Sequence, residues 1–296
     1  MKILLFGKNG QVGWELNRLL PQLGEVVALG REQADLADAD SLRQSIREYK
    51  PDVIVNAAAY TAVDKAEDEA RQAMTINAEA PGVMAEEARG MGSLMIHYST
   101  DYVFNGKSEQ PYTEVDKPDP INVYGESKLA GEKAVQASGC HHLIFRTSWV
   151  YSSRGSNFYL TILRLASKMK EINIVSDQTG APTWARLIAE TTIEVLRSAI
   201  DEIAEGGFTS DLYHLTSRGK TSWYGFARQI IDNIKTGNGK SLPSVPVINP
   251  IPSEEYPTAA RRPANSSLDV SKIEKQYGLR LPEWDKSLLS FMQTVV

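Results

Sequence analysis

Cysteine is almost missing from this 296-residue chain: Cys140 stands alone. A single thiol forms no disulfide within the chain and builds no cysteine-based zinc site. Long apolar runs are missing too. None approaches the ~20 residues that a bilayer-spanning helix needs. Met1 leads directly into KILLFG, without the basic start, longer apolar stretch and small-residue cleavage site of a signal peptide. Positive charge is not in excess. Lys and Arg total 32 against 37 Asp and Glu, a net charge of -5, and the basic residues are scattered. That pattern argues against a nucleic-acid partner, which is met by a basic stripe. Internal repeats and low-complexity tracts are absent. These absences imply a soluble cytoplasmic chain with neither nucleic acid nor membrane as partner.

What is present is an alternation of strand and helix patterns. KILLF (Lys2 to Phe6) reads as a buried strand, and Val12 to Leu20 follows with helical spacing. EVVAL (Glu25 to Leu29) is a second strand. Ser41 to Lys50 is helical and Pro51 stops it. DVIVNAAA (Asp52 to Ala59) is a third strand, and two helical stretches fill Asp64 to Gly90. A strand through LMIHYST, a helix over NVYGESKLAGE and a strand over His142 to Tyr151 complete the first half. Strands alternating with helices predict βαβ units and a mostly parallel sheet. The expected fold is therefore α/β: a Rossmann-type doubly wound parallel sheet with a smaller, mixed α/β C-terminal substrate domain. We assign 1–150 to the dinucleotide-binding domain, leaving room for later segments to return to it, and 151–296 mainly to substrate binding. Helices are expected near Asn157 to Lys170, Thr183 to Glu205 and Trp223 to Ile234. Ser241 to Pro257 is proline-rich and reads as extended.

The turn GKNGQVG (Gly7 to Gly13) follows a strand and opens a helix. This is the context a dinucleotide loop requires. Gly7 allows the tight turn, Gly10 lets backbone approach a pyrophosphate, and Gly13 permits close packing of helix on sheet. The helix N-terminus then offers free N–H groups to phosphate oxygens. The second strand ends in LGRE. Arg31 suits a 2′-phosphate through a bidentate fork, which favours NADPH. Glu32 beside it leaves NADH open, and the alternative for Arg31 is a solvated surface residue.

Tyr124 and Lys128 lie four apart in a helical stretch, so both project from one face. A free tyrosine has a pKa of ~10, and a nearby ammonium lowers it. Tyrosine then serves as a general acid for a ketone that receives hydride. The preceding strand ends in Ser99, Thr100 and Asp101, where ligands gather in open α/β sheets. The bland readings are an amphipathic helix with a surface lysine, and a strand cap or ST-turn.

The glycine loop, NAAAYTAVDKAE, STDYVF, NVYGESKLAGE and FRTSWVY together resemble the extended short-chain dehydrogenase/reductase superfamily. With DQTGAPT (Asp177 to Thr183) and YPTAARRPANSSL (Tyr256 to Leu268), the chain looks like the dTDP-4-dehydrorhamnose reductase family over nearly its whole length. The resemblance implies a catalytic set of Thr100, Tyr124 and Lys128. It implies Gly10, Gln11 and Val12 at the pyrophosphate, Asp35 and Leu36 by the adenine, and Ala59, Tyr60, Thr61 and Tyr98 along the cofactor. Asp101 and Trp149 would contact the sugar, and Arg261 or Arg262 the diphosphate or nucleotide. Core packing is the alternative for Trp149. The implied reaction is NAD(P)H-dependent reduction of a dTDP-4-keto-6-deoxy sugar. The rival readings are a reductase or epimerase of another nucleotide sugar, and a regulatory subunit that binds NADP without catalysis.

Some relatives of this kind dimerise around Mg²⁺ held by glutamates of two chains. Here Glu15 is present on the first helix. Arg186 stands in PTWARLIAE, with Glu190 one turn later, and the last helix, KSLLSFMQTVV, has no carboxylate side chain. A hard divalent ion needs several oxygen ligands. No metal is therefore expected, and the chain is expected to be a monomer or a metal-free homodimer.

Overall fold

The computed structural model describes residues 1–237 and 245–294. Its centre is a parallel sheet of β1 (Lys2–Phe6), β2 (Glu25–Leu29), β3 (Val53–Asn56), β4 (Leu94–Thr100) and β5 (His141–Thr147). The strand Asp211–His214 adds a sixth member beside β5, and the spatial order is Asp211–His214, β5, β4, β3, β1, β2. All five pairings are parallel. A parallel sheet needs cover on both faces, which is why its strands read as near-continuous apolar runs. Alternate residues supply the two sides. Ile3, Leu5, Val53, Val55 and Ile96 pack in one core with Leu16, Ile188 and Ile193. Leu4, Phe6, Ile54 and Met95 pack in the other with Leu42, Ile46 and Met84. The first face is covered by α1 (Gln11–Leu19) and the helix Ala185–Ala204. The second is covered by α2 (Ala39–Tyr49) and the helix Ala80–Met91.

The chain reverses its direction of travel across the sheet between β1 and β3, which places a crevice at their carboxyl ends. A third core gathers Tyr151, Ile162, Ile172, Phe226, Ile230 and Phe291. It joins the helices Phe158–Ala166, Trp223–Lys235 and Trp284–Thr294 to a parallel pair of strands, Glu171–Val175 and Val247–Ile251.

Several elements differ from expectation. The strand expected to run to Tyr151 breaks at Thr147, because Trp149 adopts φ +47°. Val150–Tyr151 then pairs with Thr183–Trp184, so the helix expected from Thr183 starts at Ala185. The helix expected to reach Lys170 stops at Ala166. The strands Glu171–Val175 and Asp211–His214 lay within stretches that showed only loops and helices at the sequence level. Of the proline-rich segment, 241–244 lies outside the described residues, and Val247–Ile251 is a strand. Its one proline, Pro250, escapes the usual penalty in part because the sheet has only two strands and each keeps a free edge. The helical stretch before Gly90 contains a π-helical turn, Thr75–Glu79, which turns the side chain of Asn77 toward the crevice.

Candidate active site

The turn after β1 is fixed by sterics. Gly7 has φ +86°, and an added Cβ would lie 2.7–2.9 Å from the backbone of Ala57 and Ala58. A Cβ on Gly13 would meet the Gly7 carbonyl oxygen at 2.0 Å. Only glycine lets α1 start directly behind β1 and beside the end of β3. Gly10, exposed at the N-cap, makes no side-chain capping bond, and no acidic residue occupies the first turn of α1. The first N–H groups of this helix therefore carry the positive end of its dipole with no carboxylate to neutralise it. The Gln11 side chain faces the C-terminal half: its Oε1 accepts from Ser152 Oγ at 2.9 Å and Asn157 Nδ2 at 2.8 Å. Val12 packs against the sheet core.

Beyond β2, Arg31 is largely exposed and lies 3.5 Å from Asp35. Leu36 is buried nearby. After β3, the segment carrying Ala59, Tyr60 and Thr61 is held by Asn77. Its Oδ1 accepts from Tyr60 N at 2.8 Å, while its Nδ2 donates to Tyr60 O and to Ser127 Oγ. The Tyr60 hydroxyl donates to Glu69 at 2.5 Å. These groups line one side of the crevice.

β4 delivers the other side. Thr100, its last residue, donates to Asp101 Oδ1 at 3.0 Å and accepts from Tyr102 N at 3.2 Å. The helix Val123–Ser138 is capped by Asn122, whose Oδ1 accepts from Gly125 N at 2.8 Å. Gly125 and Gly131 explain how closely this helix lies. A Cβ would meet Tyr102 O at 2.2 Å at the first and Asn77 O at 2.1 Å at the second. That approach brings the Tyr124 phenol up to the Thr100 hydroxyl. The Tyr124 residue is part-exposed while its phenol end is enclosed by protein. Burial pushes the phenol up to about 12, with the Thr100 hydroxyl opposing.

This corrects one expectation. Lys128 was expected to lower the Tyr124 phenol by its charge. Instead Lys128, 2% exposed, turns into the sheet and donates through Nζ to Tyr98 O at 2.6 Å. Burial brings the ammonium down to about 8, with Glu132 opposing. Tyr98 is on β4, its hydroxyl sharing a 2.8 Å hydrogen bond with Thr192, and its ring packs in the sheet core.

Asp101 is 3% exposed, and its Oδ2 has no hydrogen-bond partner. Burial raises its carboxyl to about 7, opposed by the nearby Ser266 and Thr100 hydroxyls. Trp149 stacks face to face on Trp223 at 3.4 Å between centroids and lies against Gly180, where a Cβ would be 2.5 Å from the indole. Arg262 donates to Asp64 at 2.7 Å and faces the Tyr102 ring at 5.9 Å, while Arg261 is exposed. Asn122 Nδ2 donates to Arg261 O at 2.8 Å, so the ARRP segment closes over the end of the Tyr124 helix. Glu15 is buried beside Arg18, and Arg186 pairs with Glu190 at 2.7 Å. Among the described residues, no three His, Cys, Asp or Glu side chains are placed to hold a metal ion, and no helix is long and apolar enough to cross a membrane.

Sequence reasoning missed Asn77, Ser266, and the buried group of Asn56, His97, Glu132 and Arg146. Glu132 accepts from Ser99 at 2.5 Å and from Arg146 at 2.7 and 2.8 Å. The only hint in the sequence was a charged pair inside otherwise buried elements.

A parallel sheet with a glycine turn after its first strand defines the class: the Rossmann-type NAD(P)-binding reductases and epimerases. The UDP-glucose 4-epimerase of Thermus thermophilus, at TM-score 0.75 and 17% identity, shares the fold alone. The RmlD substrate binding domain family matches residues 1–296. The dTDP-4-dehydrorhamnose reductase of Burkholderia thailandensis is 51% identical, over 96% of this chain and 95% of its own. The crystal structure of dTDP-4-dehydrorhamnose reductase from Bacillus anthracis str. Ames in complex with NADP superposes at TM-score 0.88, with 31% identity and 99% of both chains covered. This chain belongs to the dTDP-4-dehydrorhamnose reductase family.

Proposed function

We infer that this protein reduces the C4 ketone of dTDP-4-dehydro-β-L-rhamnose to the secondary alcohol of dTDP-L-rhamnose, with NADPH as reductant. Membership of the reductase family supports this reading over a nucleotide-sugar epimerase or a non-catalytic NADP-binding subunit. The observation that carries it is the meeting of the Thr100 and Tyr124 hydroxyls at the carboxyl end of β4, in a sheet whose first helix has an uncapped N-terminus.

The residues present fit the cofactor. Gly7 and Gly13 stand where a Cβ would not fit, Gly10 adds no side chain at the helix N-terminus, and the N–H groups of Gln11 and Val12 suit a pyrophosphate. The Arg31 fork suits the 2′-phosphate of NADPH, with Asp35 and Leu36 by the adenine. Ala59, Tyr60 and Thr61 line the path onward, with Tyr98 behind it, and Lys128 suits ribose hydroxyls. NADPH, when bound, supplies the hydride that reduces the carbonyl carbon. Tyr124 gives its proton to the carbonyl oxygen as that oxygen gains charge. A phenol held high by burial is protonated at neutral pH and ready to donate. Thr100 positions the same oxygen through its hydroxyl. Asp101 offers an unpaired carboxyl oxygen to a sugar hydroxyl, Trp149 offers a flat wall to the sugar, and Arg262, with Arg261 beyond it, suits the diphosphate. Glu190 is held by Arg186, which fits a monomer or homodimer without bridging Mg²⁺, and the reaction is one of the cytoplasm.

The test is NADPH oxidation followed by absorbance, with dTDP-4-dehydrorhamnose generated in situ. Oxidation coupled to dTDP-L-rhamnose formation is expected. Tight NADPH binding with no oxidation would overturn the reading.

A further inference from the structure

Behind the Tyr124 helix lies a buried histidine that the mechanism above does not use. His97 is 0% exposed on β4, the residue before Tyr98. Its Nδ1 is 3.2 Å from Asn56 Nδ2, and its Nε2 is 3.5 Å from Lys128 Nζ. The Asn56 amide has one allowed orientation. Its oxygen accepts from Ala58 N at 3.1 Å, and a backbone N–H only donates. The amide NH₂ must therefore point at His97, and Nδ1 must accept. The ring proton then sits on Nε2 and faces the lysine nitrogen. A doubly protonated ring would set an Nδ1–H against the Asn56 NH₂, so His97 is held neutral. Burial, and then the Lys128 charge, act in the same direction.

We propose that His97 is a positioning residue for Lys128: it presents a fixed Nε2–H to Nζ and so favours the neutral amine over the ammonium. An ammonium has three donors and no acceptor, so an N–H aimed at it is a repulsive contact. A neutral amine accepts that N–H through its lone pair and still donates to Tyr98 O. The other titratable and charged groups around Lys128 are few. Glu132 on its own helix favours the ammonium, but both its carboxylate oxygens are engaged by Arg146 from β5 and by Ser99 from β4. Tyr124 lies one turn earlier. Asn77 on the π-turn and Asn56 on β3 carry only amides. The consequence is a lysine that exchanges its proton close to neutral pH, one helical turn from the phenol. Resting on the reductase reading, in which Lys128 holds the nicotinamide ribose, this sets the pH at which that lysine loses its charge. Activity then falls as pH rises through the Lys128 transition.

Two measurements test this. The first needs no turnover: long-range ¹H–¹⁵N spectra of the imidazoles, with His97 assigned by the signal lost in His97→Gln. The neutral Nε2–H tautomer is expected across neutral pH. An Nδ1–H tautomer, or a ring that takes up a second proton there, overturns the proposal whatever the enzyme's substrate. The second is the pH profile of kcat/KM. His97→Leu removes the donor, and the alkaline limb is expected to move up by about one unit. His97→Gln, which keeps an N–H donor, is expected to restore it. A uniform loss of rate with both limbs unmoved would make His97 a packing residue and overturn the proposal.

Discussion

Removal of one oxygen atom separates catalysis from packing at Tyr124. In Tyr124→Phe the ring stays and the hydroxyl goes. The Thr100 hydroxyl is not orphaned, because it still donates to Asp101 and accepts from Tyr102 N. The stability cost is therefore at most that of one ordinary hydrogen bond, about 1 kcal/mol. The rate cost is larger. Loss of a positioned general acid slows the chemical step by about 10²–10⁴-fold, which is roughly 3–5 kcal/mol of barrier. The two effects differ enough to be read independently. Urea unfolding is expected to show a small shift in midpoint, and NADPH binding by fluorescence titration is expected to be unchanged. Steady-state NADPH oxidation is expected to lose at least about a hundredfold in kcat. If turnover falls by less than about tenfold, Tyr124 is not the proton donor and the chemistry assigned to the Thr100–Tyr124 pair is wrong.

Other perturbations have equally definite outcomes. The Asp101 carboxyl, ordinarily at 3.8, is raised to about 7 by burial. The folded state keeps its proton where the unfolded state has lost it, so this group's contribution is greatest below 3.8 and disappears as pH rises through about 7. Asp101→Asn, which never ionises, is expected to gain more in Tm over the parent at about pH 8 than at about pH 4; an equal difference at both would refute the shift. Arg146→Met leaves Glu132 buried without its cation, and a loss of about 3–5 kcal/mol in chemical denaturation is expected; an unchanged midpoint would mean that the pair is not buried as described. Arg31→Ala is expected to raise the KM for NADPH by about tenfold and leave that for NADH alone, and a parallel change in both would remove Arg31 from the 2′-phosphate.

The Rossmann half was legible because its signals are local. The buried strands KILLF and EVVAL appear as unbroken apolar runs, and GKNGQVG marks the turn between strand and helix. The placement of Thr100 at a strand end and of Tyr124 and Lys128 on one helix was legible because each position depends on residues a few places away. The strand Asp211–His214 was not legible. It is four residues long, and its partner, β5, lies some 70 positions earlier. Nothing local distinguishes such a segment from a loop. The break at Trp149 was equally hidden, because a positive φ at tryptophan is imposed by neighbours on other elements.

The lysine shows the division most plainly. From sequence it carried a charge four residues from a tyrosine, and spacing alone made it that tyrosine's activator. Only the fold decided where its nitrogen points: into β4, toward the Tyr98 carbonyl and the His97 ring. By itself the sequence determined which residues share a helix face, where glycine is required, and what chemistry the side chains can perform, since these depend on neighbours a few positions away. The tertiary structure alone decided which groups are desolvated, which protons they hold and which partners they meet. Burial and hydrogen bonding between distant strands set those quantities, and no short stretch of the chain contains both members of such a contact.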